Sequence, residues 1–132
     1  MIIINKNLTW SEFEKKMLSV FGKNFKYVEE LYYNVIKENH FGEFVELDDN
    51  QALKYLTDLN EMTGELCVIT DLCYENERGP FIINSCDIGN FVNSFLDVFG
   101  ESFYSTDIII VSFREKLIWV LFHEGLCWLS KS

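Results

Sequence analysis

Two apolar runs near the C-terminus constrain the fold more than any other feature. Ile108–Phe113 and Leu117–Phe122 are rich in β-branched and aromatic residues and are separated only by Arg114-Glu115-Lys116. Runs of this length and composition, bounded by a polar turn, read as strands. So short a link leaves antiparallel pairing as the only arrangement, because a parallel crossover needs a dozen residues or more. His123-Glu124-Gly125 supplies a second turn before Leu126–Leu129, which extends the hairpin to a meander.

Such a sheet must be covered, and the earlier sequence supplies amphipathic helices. Thr9-Trp10-Ser11-Glu12 has the form of a capping box, in which the Thr hydroxyl takes a free helix amide and Glu12 reaches back. Trp10, Phe13, Met17, Val20 and Phe21 follow at helical spacing, and Gly22 suits the left-handed position that ends a helix. A second helix is expected with Val28, Leu31, Tyr32, Val35 and Ile36 on one face, stopping near Asn39-His40. A third runs from Asn50 to Met62, capped by Asp48 or Asp49 and ended by Gly64, with Ala52, Leu53, Leu56 and Leu59 inward. A fourth, capped by Asp87 and ended by Gly100, turns Phe91, Val92, Phe95, Leu96 and Phe99 inward.

Met1–Asn5, Leu66–Leu72 and Phe81–Asn84 read as further strands, Glu75–Pro80 as a turn, and Phe41–Leu47 as a loop or edge strand. Helices early and a meander late predict an α+β fold, four helices packed on a sheet. At 132 residues the chain is expected to form one domain, residues 1–132, large enough to fold without a metal or disulfide. A 48% hydrophobic composition with 12 Phe excludes a disordered chain despite its charge.

The first and fourth helices echo each other. Phe13…Leu18-Ser19-Val20-Phe21-Gly22…Phe25 matches Phe91…Leu96-Asp97-Val98-Phe99-Gly100…Phe103 at six of thirteen positions, at a fixed offset of 78. Each copy follows Ile-Ile-Asn, at Ile3-Ile4-Asn5 and Ile82-Ile83-Asn84. A duplicated strand-to-helix unit would give this pattern. So would the shared demands of two amphipathic helices that end in Gly.

The net charge of −10 is carried by one stretch. Residues 38–77 hold eleven acids against the single base Lys54, while residues 1–37 sum to +2 and residues 78–132 to −2. A field this lopsided repels phosphate and attracts a basic partner. The leading charges of the expected docking face are Glu43, Glu46, Asp48, Asp49, Asp58, Glu61 and Glu65. On the third helix Asp58, Glu61 and Glu65 fall at i, i+3 and i+7 and line one outer stripe, with only Lys54 to offset them.

Catalytic signatures are missing. His123-Glu124 lacks the second His of a zinc protease helix, and Gly125 interrupts the helix it would need. His123 and Cys127 form a nucleophile pair only if the fold aligns them with an orienting group. The seven Gly are dispersed rather than gathered in a phosphate loop, and no basic patch is interleaved with aromatics. The spaced Asp/Asn pattern of a calcium loop is absent. No enzyme activity, metal, cofactor, nucleic-acid contact or membrane contact is expected. Cys67, Cys73, Cys86 and Cys127 lack the spacing of a metal or redox motif, and Met1–Asn5 lacks the charged opening of a secretion signal. Free thiols in a cytoplasmic protein are therefore expected.

In these properties the chain resembles the immunity proteins that neutralise contact-dependent and other polymorphic bacterial toxins. The resemblance implies an antitoxin that binds a basic toxin, a nuclease in particular, and blocks its active site. A local likeness to the barstar family falls at Gly22-Lys23-Asn24-Phe25, similar to the opening of that family's second helix. Lys26 stands where the family has an acid, and Glu29 and Glu30 supply acid one turn later. No binding residue carries over from the likeness, and the C-terminal meander argues against that family's parallel sheet. The alternatives are a non-enzymatic scaffold or regulatory subunit for a basic protein or peptide, and a small-ligand domain with a pocket among Trp10, Trp119, Trp128 and the Phe residues, although their apolar periodicities read more simply as plain core.

Overall fold

A computed structural model describes residues 6–22, 39–41, 53–54, 56–58, 60–103, 107–121 and 127–131. Seven strands are present among them: β1 (Lys6–Asn7), β2 (Asn39–Phe41), β3 (Glu65–Ile69), β4 (Phe81–Asn84), β5 (Ile108–Ser112), β6 (Leu117–Leu121) and β7 (Cys127–Lys131). They form one sheet in the order β1-β4-β3-β5-β6-β7-β2, and every pairing is antiparallel. The expected hairpin is β5–β6, in register from Ile108 opposite Leu121 to Ser112 opposite Leu117. β7 continues the meander, with Trp119 opposite Leu129.

The centre of the sheet is apolar on both faces. All five residues of β5 and of β6 are buried, as are Leu66–Ile69 of β3. Alternation along each strand assigns the faces. Phe81, Val68, Ile110 and Trp119 lie opposite one another across four strands, and so share a face. Helix α2 (Ile88–Phe99) covers that face, with Phe81 ring centroids 5.3 Å from Phe91 and 5.7 Å from Phe99. Helix α1 (Trp10–Phe21) covers the other, where Phe113 meets Phe13 at 5.8 Å and Phe21 at 6.1 Å. The fold is α+β, with the sheet as the middle layer at α1 and α2.

α1 begins as its sequence predicts: Glu12 N–H donates to Thr9 Oγ1 at 3.0 Å, and Thr9 N–H donates to Glu12 Oε1 at 3.2 Å. α2 does not. Asp87 makes no side-chain cap; a 3₁₀ turn, Ser85–Asp87, leads into the helix, and Asn84 Oδ1 accepts from Cys86 N–H at 3.1 Å. Leu96 is another departure, half exposed rather than inward, because it lies at the margin of the stripe formed by Phe91, Val92 and Phe95.

The third helix ends earlier than expected. Residues 53–54 and 56–58 are helical, Asn60 is a bend, and residues 61–63 are extended or irregular. Asn is a poor helix former, and leaving the helix there lets Met62 bury in the core and the Gly64 carbonyl accept from Ser85 N–H at 2.8 Å. Three α-helical regions are thus present among the described residues, where four were expected over the whole chain; the second, around Val28–Ile36, lies outside them, as does the Met1–Asn5 strand. Leu66–Leu72 proves to be a strand only as far as Ile69.

α1 and α2 share more than sequence. Each spans 12 residues, buries Phe13 or Phe91 and Met17 or Phe95, exposes Leu18 or Leu96, and ends on a left-handed Gly whose N–H bonds back four residues. They lie on opposite faces and begin by different devices.

The tightest backbone approach is at Gly79. Its N–H donates to Cys73 O at 2.9 Å, its carbonyl accepts from Asn7 Nδ2 at 3.0 Å, and Pro80 O accepts from Leu8 N–H at 2.9 Å. Its φ is +82°, and a Cβ there would overlap the Leu8 carbonyl oxygen. Gly100 shares the φ of +82° but has open space around it. Gly100→Ala is therefore expected to cost only the left-handed penalty of about 1–2 kcal/mol. Gly79→Ala adds a backbone clash and is expected to cost about 2–4 kcal/mol in all. Urea denaturation of the two variants checks this; equal losses would mean that Leu8 moves aside freely.

Candidate interaction surface

The acidic stretch is divided by the strand it contains. Leu66–Ile69 is wholly buried, so carboxylates are excluded from the middle of β3 and gather at its ends. Glu65 opens the strand and is exposed; Asp71, beyond its other end, is exposed as well. Five residues of largely extended chain lie between them, six steps or about 20 Å at strand rise. Glu61 leads into the Glu65 end, with Asp58 before it on the helical stretch. Glu75 and Glu77 continue the Asp71 end. The described acids do not form one stripe: Glu61 lies past the helix and Glu65 is in a strand, so the i, i+3, i+7 reading of Asp58, Glu61 and Glu65 does not hold.

All three of those predicted site residues are exposed. Glu43, Glu46, Asp48 and Asp49, with the expected cap at Asp48 or Asp49, lie outside the described residues. Among the described residues Asp58, Glu61, Glu65, Glu75 and Glu77 take part in no ion pair; the pair present is Arg114 Nε to Glu115 Oε1 at 3.7 Å. The β5–β6 turn approaches the Glu65 end. Thr63 Oγ1 donates to Glu115 Oε1 at 3.4 Å, and the Arg114 side chain passes beside Gly64.

The Asp71 end has a structure that the sequence did not announce. Asp71–Glu77 is a 3₁₀ helix rather than the end of a strand and a simple turn. Thr70 Oγ1 accepts from Leu72 N–H at 3.2 Å, and the Cys73 thiol sulfur accepts from Thr70 N–H at 3.4 Å. Trp10 fixes the segment to α1, stacking on Tyr74 with ring centroids 5.1 Å apart and donating from Nε1 to Cys73 O at 3.1 Å. Glu77 takes a left-handed φ of 54° just before the Gly79 corner. Thr70 followed by Asp71 was the available local signal, a side-chain cap ahead of an acidic first turn.

Chemistry at the thiols is suppressed by burial. Cys67, Cys73 and Cys86 are free. Burial pushes the Cys67 thiol up to about 12, with Lys16 drawing it partly back and Glu65 adding to the rise. Burial likewise pushes Cys73 up to about 11, opposed chiefly by the Thr70 hydrogen bonds. Both remain protonated at neutral pH, the form that does not attack electrophiles. Cys86 is exposed, and its Sγ donates to Asn84 Oδ1 at 3.1 Å. Brief treatment of the native protein with iodoacetamide should therefore label Cys86 and leave Cys67 and Cys73 unmodified until denaturant is added. Peptide mass mapping reads the result, and rapid native labelling of Cys67 would contradict its burial. The side chains of His123 and Cys127 lie outside the described residues, so their alignment does too.

Among the described residues no three His, Cys, Asp or Glu side chains gather as metal ligands, and no helix is long and apolar enough to cross a membrane. Trp10 belongs to α1, whereas Trp119 is fully buried on the α2 face, so the two do not line a common pocket. The Trp119 indole N–H is buried and has no hydrogen-bond partner among the described residues. No family model, curated protein or solved structure matches the chain.

Proposed function

We propose that the chain is an acidic inhibitor of the immunity-protein kind, which binds a basic toxin, a nuclease in particular, and blocks its active site without catalysis of its own. The observation that carries this reading is the set of exposed carboxylates at Asp58, Glu61, Glu65, Glu75 and Glu77, which take part in no ion pair among the described residues and belong to a stretch of net charge −10. Carboxylates satisfied within the fold would have little left to offer a partner. These are available to cations from outside. An enzyme that acts on nucleic acid presents Lys and Arg to phosphate, and a protein that offers carboxylates to the same cations competes for the site and gains on-rate by steering. Such an inhibitor works in the cytoplasm beside the toxin's target, where free thiols persist.

The test is affinity capture of the partner from the source cell, followed by binding measured at two salt concentrations. One-to-one binding that weakens steeply with salt is expected. Joint reversal of Asp58, Glu61 and Glu65 to Lys should weaken the complex by more than tenfold, and the same reversal of Glu43, Glu46, Asp48 and Asp49 measures the share of the adjoining stretch. Far-UV circular dichroism of each variant confirms that the fold is retained. An acidic partner, or unchanged affinity and salt dependence in both variants, would leave the stretch a solubilising surface only.

A further inference from the structure

We draw no further inference here: the strongest candidate, the surface corner where the half-buried Trp10–Tyr74 stack meets the exposed carboxylates of Asp71, Glu75 and Glu77, is an acidic cluster beside core-edge aromatics, and nothing bound to it or aimed unpartnered into it points to a ligand.

Discussion

Phe91→Ala is expected to remove about 3–5 kcal/mol of stability, the range for truncating a fully buried aromatic. Phe91 is the junction of the α2 face. Its ring centroid lies 5.3 Å from Phe81 of β4, 5.6 Å from Phe95 one turn along the helix and 5.6 Å from Phe103, each in an edge-to-face arrangement. Removing the ring breaks three favourable aromatic contacts and leaves a cavity that α2 cannot close without withdrawing Phe95 from Phe103, 5.1 Å away. A domain of this kind has about 5–15 kcal/mol in total, so the variant should be largely unfolded near body temperature or melt many degrees lower. Leu96→Ala on the same helix removes a side chain that is 54% exposed and should stay within about 0.5 kcal/mol of the parent. Guanidinium unfolding of the pair decides the matter. A loss below about 1 kcal/mol at Phe91 would mean that α2 is not packed on β4 as described.

The contrast between those two positions also marks what the sequence could reveal. Phe91 and Leu96 look alike in an apolar periodicity, and both were expected inward. Leu96 sits at the margin of the stripe set by Phe91, Val92 and Phe95, where an apolar side chain can fall on either side of the buried edge. Features made by neighbours in sequence were legible: the Thr9–Glu12 capping box, the glycines that end α1 and α2, and the β5–β6 hairpin, whose register follows from a short link between two apolar runs. Features made by distant pairs were not. β1 is two residues beside β4, and β2 is three residues beside β7; strands so short carry no periodicity of their own. The 3₁₀ helix at Asp71–Glu77 is held by an indole 63 positions away in sequence. The acidic stretch gives the plainest case. Counting charges along the chain treats residues 38–77 as one unit, but the buried β3 inside that unit sends Glu65 and Asp71 to its opposite ends.

Alkaline pH should unfold the protein sooner than its tyrosines and lysines alone would require, because two buried thiols resist ionisation. Cys67 faces α1 from the middle of β3, and the Lys16 charge does not offset its loss of water. Cys73 is enclosed where Thr70 and Val68 bond its sulfur. Both folded values are raised above the ordinary value of 9.0, to about 12 and about 11. Below the ordinary value both folded and unfolded chains keep these protons, and the stabilisation is fully present. Above it the unfolded chain releases them while the folded protein does not, so stability falls until the pH passes the folded values. The slope is at most about 1.4 kcal/mol per pH unit for each thiol, reached where the unfolded thiol is fully ionised and the folded one is not. Between pH 9, where the unfolded thiol is only half ionised, and pH 10.5 each thiol should therefore remove roughly 1–2 kcal/mol. Cys67→Ala and Cys73→Ala each abolish one share of that slope, although Cys73→Ala also starts from a lower level because it loses the sulfur hydrogen bonds. The slope, not the level, is the measured quantity, taken from urea unfolding under reducing conditions at pH steps from 8 to 10.5. Tyrosine and lysine titrations are common to parent and variants and drop out of the difference. Parallel slopes in all three proteins would show that the thiols ionise as freely in the folded chain as in the unfolded one, and that neither is buried as the fold places it.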